Sequence, residues 1–380
     1  MLITLTIVWV LTLSYVLLMI VYWTGWKMQR VFRVPANFTP GTRVSIIIPA
    51  RNEEGNIAAC LSAILRNSYP ASLIEIIVID DHSTDNTAAI VRNFDLPNVK
   101  CLSMANFLKP NESLNAYKKK ALEIGIAHST GELIITTDAD CIAPPEWLTN
   151  IAARFQKDDS VMIVGPVSFT CNGSLLETFQ SLDFMSMQGI TAAAHRLRLG
   201  NMSNGANLAF SRDAFQQVGG YRDIDHLASG DDFLLMVKMQ RMFPGRIGYL
   251  KSRDAVVSTA PQPSWDSFFQ QRIRWASKSG KYNDGTLTAI LLLVYLFNLL
   301  ILALFVASIW DLTYFMLGIV VITIKAVVEV FFLLPVAIFF RKVKEVFWLA
   351  ILQPLHISYI ILAGFLGLIG DYKWKGRRVK

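Results

Sequence analysis

The chain has 380 residues, 53% of them hydrophobic and only 17% charged, with a net charge of +7. A soluble globular chain carries about a quarter charged residues, so this balance, with a mean hydropathy of +0.40, excludes a wholly soluble protein and fits one soluble domain plus membrane spans. The positive charges flank apolar segments instead of forming one basic face, which argues for an anionic membrane surface as partner and against nucleic acid.

Residues 1–26 are almost entirely apolar and long enough to span a bilayer, with Tyr22, Trp23 and Trp26 at the end suited to the interface. A cleaved signal peptide fits less well, because the segment has neither a basic start nor a small-x-small cleavage site. Lys27, Arg30, Arg33 and Arg43 follow and place this end of the span in the cytoplasm. Pro35, Pro40 and Gly41 mark residues 27–43 as a linker. The pattern then alternates. Val44–Ile48 predicts a strand, Asn52–Arg66 a helix, Ile74–Asp80 a strand, Thr84–Asn93 a helix and Val99–Leu102 a short strand; Lys118–His128 predicts a helix leading into a strand over Gly131–Asp140. This alternation implies a doubly wound, mainly parallel α/β sheet.

Ser264–Lys281 reads as an amphipathic helix lying at the membrane surface, with Trp265, Phe268, Phe269, Ile273 and Trp275 apolar and Arg272, Arg274, Lys278 and Lys281 basic. Leu287–Trp310, Leu312–Phe340 and Val346–Gly370 are long apolar stretches, with a basic loop at 341–345 and five basic residues in the tail 371–380. Three full crossings would leave that tail outside, against the positive-inside rule. Gln353, Pro354 and His356 near the middle of the last stretch therefore suggest a re-entrant or interfacial segment. Lys325 and Glu329, four apart within a span, are expected to pair with each other. Cys60, Cys101, Cys141 and Cys171 show neither disulfide nor zinc-site spacing and read as reduced thiols.

Chemistry concentrates where predicted strands end. Thr137-Asp138-Ala139-Asp140 closes one strand with two carboxylates, and strand alternation predicts that Asp138 and Asp140 project to the same side. Paired hard oxygen ligands at a sheet edge suit Mg²⁺ or Mn²⁺ bridging to phosphate. Ile46–Glu54 is a strand running into a helix start, where Asn52 is expected to cap. Val78–Thr87 is a strand ending in Asp80 and Asp81; Asp80 would accept hydrogen bonds from a nucleobase or ribose, and Thr84 or Asp85 would cap the next helix. Asp231-Asp232 opens a predicted helix over Phe233–Arg241, with one of the two expected as its N-cap.

The succession Ile-Pro-Ala-Arg-Asn-Glu-Glu, Ile-Asp-Asp-His-Ser-Thr-Asp-Asn-Thr and Thr-Asp-Ala-Asp resembles the family 2 (GT-A type) glycosyltransferases. Four further stretches extend the resemblance: Lys118–Ile126, with Tyr117 where a Gly usually precedes the lysine; Asn204–Phe210; Ser229-Gly230-Asp231-Asp232-Phe233; and Gln271-Arg272-Ile273-Arg274-Trp275, the Gln-x-x-Arg-Trp motif. The resemblance implies a GT-A domain over 44–262, an interface helix carrying that motif over 263–284 and a membrane region over 285–370. By position, Asp80 and Asp138 would bind the nucleoside part of a nucleotide sugar, helped by Ala50 and Glu53, and Asp140 would hold Mg²⁺ or Mn²⁺ on the diphosphate. Asp232 would be the general base, its pKa raised by burial and by Asp231. Arg274 would grip the diphosphate, Trp275 stack on the acceptor sugar and Gln271 orient the acceptor. The implied protein is an inverting transferase of a bacterial inner membrane, its catalytic domain in the cytoplasm, moving a sugar from a UDP-sugar to a lipid or lipid-linked acceptor. Processive polysaccharide synthesis is the alternative, and a non-catalytic nucleotide-binding subunit a remote one.

Overall fold

In the computed structural model, residues 2–108, 114–199, 202–227, 230–277, 284–369, 372–374 and 377–379 are described, with the backbone alone from 368 onward. Ser229, Asn201, Lys278 and Lys281 lie outside the described residues, as do the side chains of the basic tail. The first elements are α1 (Leu2–Met28), β1 (Val44–Ala50), α2 (Ile57–Leu65), β2 (Ile74–Asp80), α3 (Thr87–Arg92), β3 (Val99–Ser103), α4 (Tyr117–Ala127) and β4 (Leu133–Thr136). There follow α5 (Trp147–Asp158), β5 (Met162–Val164), β6 (Val167–Phe169), α6 (Leu175–Leu197), β7 (Leu208–Ser211), α7 (Arg212–Gln217), α8 (Asp231–Met242), β8 (Ile247–Tyr249) and β9 (Val257–Thr259). The C-terminal part holds α9 (Trp265–Ala276), α10 (Gly285–Ala307), α11 (Leu312–Phe340), α12 (Val343–Val346), α13 (Leu349–Ile369) and two short extended segments, β10 (Tyr372–Trp374) and β11 (Arg377–Val379).

These elements divide into two compact units. One contains 30–169 and 202–260; the other contains 1–29, 170–201 and 261–374. The first is built on a seven-stranded sheet in the order β3-β2-β1-β4-β7-β5-β8. The sheet is parallel except for β7, which runs antiparallel to β4 and β5, so the doubly wound, mainly parallel sheet is present. Ile46, Ile47 and Ile48 of β1 are all completely buried. That is the signature of a central strand covered on both faces, and each such side chain is worth about 1.5–3 kcal/mol on burial. Helix α4 lies so close to β1 that a Cβ on Gly125 would sit 2.5 Å from Ile47 Cγ2. In register, Ala50 faces Asp80 and Ile47 faces Thr136, so the carboxyl ends of β2, β1 and β4 come out on one edge.

The connections at that edge differ from expectation. Helix α2 starts at Ile57 because Asn52 takes a left-handed conformation, φ 52°. Asn52 caps nothing; its side-chain oxygen accepts the Thr84 N–H at 2.8 Å. Helix α3 likewise starts late. Its N-cap position is Asn86, without a side-chain bond; Thr84 does not cap it, whereas Asp85 accepts the N–H of the first helical residue, Thr87, at 3.0 Å. Asp85 also accepts the Glu54 N–H at 3.0 Å. The two loops are knitted to each other in place of the first helical turns.

In the second unit, α1, α10, α11 and α13 are long and apolar enough to cross a membrane. Helix α6, which sequence placed inside the range 44–262, packs among them. A Cβ on Gly25 of α1 would meet the Ala193 carbonyl at 2.9 Å, and one on Gly189 of α6 would meet Val336 at 2.8 Å, the close approach that small residues allow between apolar helices. Lys325 and Glu329 do pair, at 2.7 Å. Their cluster also takes in Gln353, whose Oε1 accepts from Lys325 at 2.6 Å, and Tyr15, whose hydroxyl donates to Glu329 at 2.5 Å. The last apolar stretch forms one unbroken helix through Pro354, so no re-entrant hairpin is formed; Gln353 and His356 are turned inward onto Lys325 instead, His356 Nδ1 lying 3.3 Å from its Nζ. The amphipathic helix α9 is shorter than expected, ending at Ala276. It begins with a Ser264–Ser267 capping box, in which each serine satisfies the other's backbone N–H. Arg272 is 3% exposed and does not belong to a solvated basic face.

Candidate active site

The paired aspartates lie beyond the end of β4, not within it. The strand stops at Thr136, and the chain turns, with Cys141 N–H donating to the Asp138 carbonyl at 3.1 Å. It is this turn, and not strand alternation, that brings Asp138 and Asp140 together: one carboxylate oxygen from each and the Cys141 sulfur lie within 4.8 Å of one another. Both carboxylates are half-buried. Burial, together with Asp138 and Asp140, pushes the Cys141 thiol well above its ordinary pKa. Burial first, then Asp140 and Asp138, pushes Cys60 up to about 12. Both cysteines are therefore protonated at neutral pH. The residues that would hold a metal are the two carboxylates, hard oxygen donors that fit Mg²⁺ or Mn²⁺.

Lys118, near the start of α4, joins this turn to a second acidic pair. Its Nζ lies 2.7 Å from Asp138 Oδ1 and 3.5 Å from Asp231 Oδ2. Burial works against the ammonium, but Asp138, Asp231 and Asp232 outweigh it and hold its pKa well above the usual lysine value. Asp231 and Asp232 occupy the first turn of α8, and neither is its N-cap. That position belongs to Gly230, left-handed at φ 80°, a conformation open to glycine at little cost. Asp232 Oδ2 accepts the Gly205 N–H at 3.1 Å, and its Oδ1 accepts the Phe233 N–H at 2.7 Å. Gly205 is itself tied to the end of β4, since Thr136 Oγ1 donates to its carbonyl at 2.9 Å and Thr137 Oγ1 to that of Ala206 at 2.9 Å. Segment 204–207, the turn of 138–141 and the start of α8 are thus fastened to one strand end.

Asp80 ends β2 on the same edge, 7% exposed, and accepts the Ser83 N–H at 3.3 Å. The Ala50 carbonyl accepts the Asp81 N–H at 2.8 Å, and Glu53 Oε2 accepts from Asn56 at 2.8 Å. Gln271, Arg274 and Trp275 lie on α9, in the other compact unit. Sequence reasoning gave Lys118 no role, although it matched the resemblance at that lysine; the signal was a lysine opening the helix that precedes the acidic strand. Gly205 lies in the stretch Asn204–Phe210 that the resemblance covers, whereas Cys141 had no such signal.

A sheet of this order with carboxylates at its parallel strand ends defines a nucleotide-binding α/β enzyme fold. The chain belongs to glycosyl transferase family group 2, which it matches over residues 133–361, more than half of its length; residues 45–219 match glycosyl transferase family 2. It is 31% identical over 191 residues to glycosyltransferase AglE of Haloferax volcanii, covering 50% of this chain and 58% of that one. It is 26% identical over 235 residues to the poly-β-1,6-N-acetyl-D-glucosamine synthase of Staphylococcus epidermidis, covering 61% of this chain and 53% of that one. The matched region thus spans little more than half of each relative's length. Among solved structures, the mannosyltransferase PcManGT of Pyrobaculum calidifontis in complex with GDP-mannose and Mn²⁺ shares the fold at a TM-score of 0.58 and 21% identity, over 97% of both chains.

Proposed function

We propose that the protein is a membrane-anchored inverting glycosyltransferase that moves a sugar from a nucleotide sugar, a UDP-sugar in the first instance, to a hydroxyl of a lipid or lipid-linked acceptor. The observation that carries this reading is the gathering of Asp138, Asp231 and Asp232 about Lys118, with Asp140 beside Asp138, at one sheet edge. Like charges held this close repel one another, so the arrangement is one that a cation and a substrate complete. In this reading Asp80 and Asp138, with Ala50 and Glu53, receive the nucleoside. Lys118 holds Asp138 against Asp231, and Asp140 would hold Mg²⁺ or Mn²⁺. The bound metal ion would neutralise charge on the leaving diphosphate. Asp232 is the general base. As the acceptor oxygen forms its bond to the anomeric carbon, the hydroxyl proton passes to Asp232, and the bond to the nucleoside diphosphate breaks with its electron pair leaving on phosphate. The Gly205 N–H on Oδ2 fixes the carboxylate for that transfer. The resemblance assigns Arg274 to the diphosphate and Gln271 and Trp275 to the acceptor. The sheet domain faces the cytoplasm, where nucleotide sugars are made, because Lys27 lies in the last turn of α1 and Arg30 and Arg33 follow it.

The match to a polysaccharide synthase supports one second reading, processive extension of a glycan. Incubating the purified protein in lipid nanodiscs with radiolabelled UDP-glucose, UDP-N-acetylglucosamine or GDP-mannose and membrane lipids separates the two. One labelled glycolipid band is expected; a ladder of products favours the synthase. No divalent-dependent transfer from any of the three donors would remove the proposal.

A further inference from the structure

Arg272 sits at a position that the Gln-x-x-Arg-Trp pattern leaves open, yet it is the most enclosed charge on α9, 3% exposed. Its Nε and Nη2 lie 2.9 and 2.6 Å from Oδ2 of Asp183 on α6. Asp183 is held in turn by Tyr359 of α13, whose hydroxyl donates to Oδ1 at 2.7 Å. The remaining arm of the guanidinium is committed to the motif itself: Nη1 donates to Gln271 Oε1 at 2.6 Å. The guanidinium also lies 4.3 Å from the centre of the Trp275 ring and 4.7 Å from that of Phe268. Phe184, the neighbour of Asp183 on α6, tilts against Trp275 at 6.2 Å.

A buried ion pair adds little net stability over apolar residues of the same shape, because both charges are stripped of water. Here the charge does two things an apolar side chain cannot. It occupies the Gln271 carbonyl, which orients the Gln271 amide, and it sets the plane of Trp275 through a cation–π contact. Aspartate and tyrosine from two other helices fix the guanidinium that does both. We infer that Arg272 is a positioning residue, which with Asp183 as counter-ion and Tyr359 as its brace holds Gln271 and Trp275 in their working orientation. This rests on the transferase reading for what Gln271 and Trp275 work upon, but not for the geometry.

The test uses the full chain in nanodiscs with fluorotryptophan incorporated, the Trp275 fluorine resonance being assigned by its loss in Trp275→Phe. Arg272→Met should shift that resonance and lower turnover by about tenfold or more, as expected when reacting groups lose alignment, with the donor KM changing less than kcat. Arg272→Lys should restore part of both. Arg272→Met carries an unpaired aspartate and unfolds more easily, so the double variant Asp183→Leu with Arg272→Met is the decisive sample. It should regain the thermal midpoint but neither the Trp275 resonance nor the turnover. Recovery of the wild-type resonance and turnover in the double variant would reduce Arg272 to a packing role and overturn the inference. So would a wild-type Trp275 resonance in Arg272→Met. The resonance decides the inference by itself even should the wild type transfer none of the three sugars, a result that would overturn the transferase reading alone.

Discussion

Two charged clusters of this chain make opposite use of burial. In the apolar unit, Lys325 is completely enclosed, and Glu329, Gln353 and His356 surround its ammonium. Tyr15 and Gln353 bond Glu329 in turn, so opposite charges cancel within the cluster. In the sheet unit, Asp138 and Asp140 bring like charges within 4.8 Å in a half-buried turn, and Lys118 bridges from one of them to Asp231. The first arrangement is complete within the chain and reads as a device for pairing α1, α11 and α13. The second keeps like charges together where solvent reaches, which costs stability unless a ligand is bound. Ionisable groups in a span are functional candidates by default; here the buried pair is the structural one and the half-exposed one is the candidate for chemistry.

Five substitutions, one of them added to another, break or sharpen that contrast. The largest effect is expected for Asp232→Asn: transfer falls by about 10²–10⁴, the usual worth of a general base, while UDP binding by calorimetry survives. Unchanged turnover would take Asp232 out of the mechanism. Next, Lys325→Met leaves Glu329 buried without its counter-ion and should cost about 3–5 kcal/mol in denaturant unfolding. Glu329→Gln added to it should recover much of that loss, since the amide can still bond Tyr15; a single variant as stable as wild type would contradict a closed neutral cluster. Lys118→Met should lower kcat/KM by roughly ten- to a hundredfold through misplacement of Asp138 and Asp231. Its thermal midpoint should fall as well, since the raised pKa means that the paired ammonium stabilises the fold; a lower midpoint with unchanged kcat/KM would make Lys118 structural instead.

The smallest effect concerns Glu75, at the sheet edge away from the site. Burial opposes its charge, but Lys100, Thr130 and Ser45 outweigh that and lower its pKa. A carboxylate held below its unfolded value contributes stability above that value and loses it as pH falls through the folded one. Glu75→Gln should therefore cost about 1–2 kcal/mol at pH 7. The gap to wild type should close below the ordinary glutamate range, and a gap that persists under acid would show that the effect is not ionic.

The strands β1, β2 and β3, the long apolar helices and the order of the motifs were legible because period-two and unbroken apolar patterns are local and survive in any surroundings. The first turns of α2 and α3 were not, because Asn52 and Asp85 hold backbone amides of the facing loop, more than thirty residues away in the chain. The Asp138–Asp140 pairing was anticipated, but for a pleat that the chain does not form; the turn at Asp138–Cys141 does the work. Arg272 carried the pattern of an exposed basic residue, and it is the counter-ion Asp183, 89 positions away, that makes its burial tolerable.

The amino-acid sequence by itself determined the α/β alternation, the four apolar helices and the family to which the motifs belong. Each depends on side-chain periodicity or on short runs of residues. Tertiary structure decided which carboxylates meet, that Lys118 bridges two of them, that Arg272 is enclosed instead of solvated, and that Gln353 and His356 join the Lys325 pair. The physical reason is that a charge's environment is set by groups brought near it in folding, and no spacing along the chain records that distance.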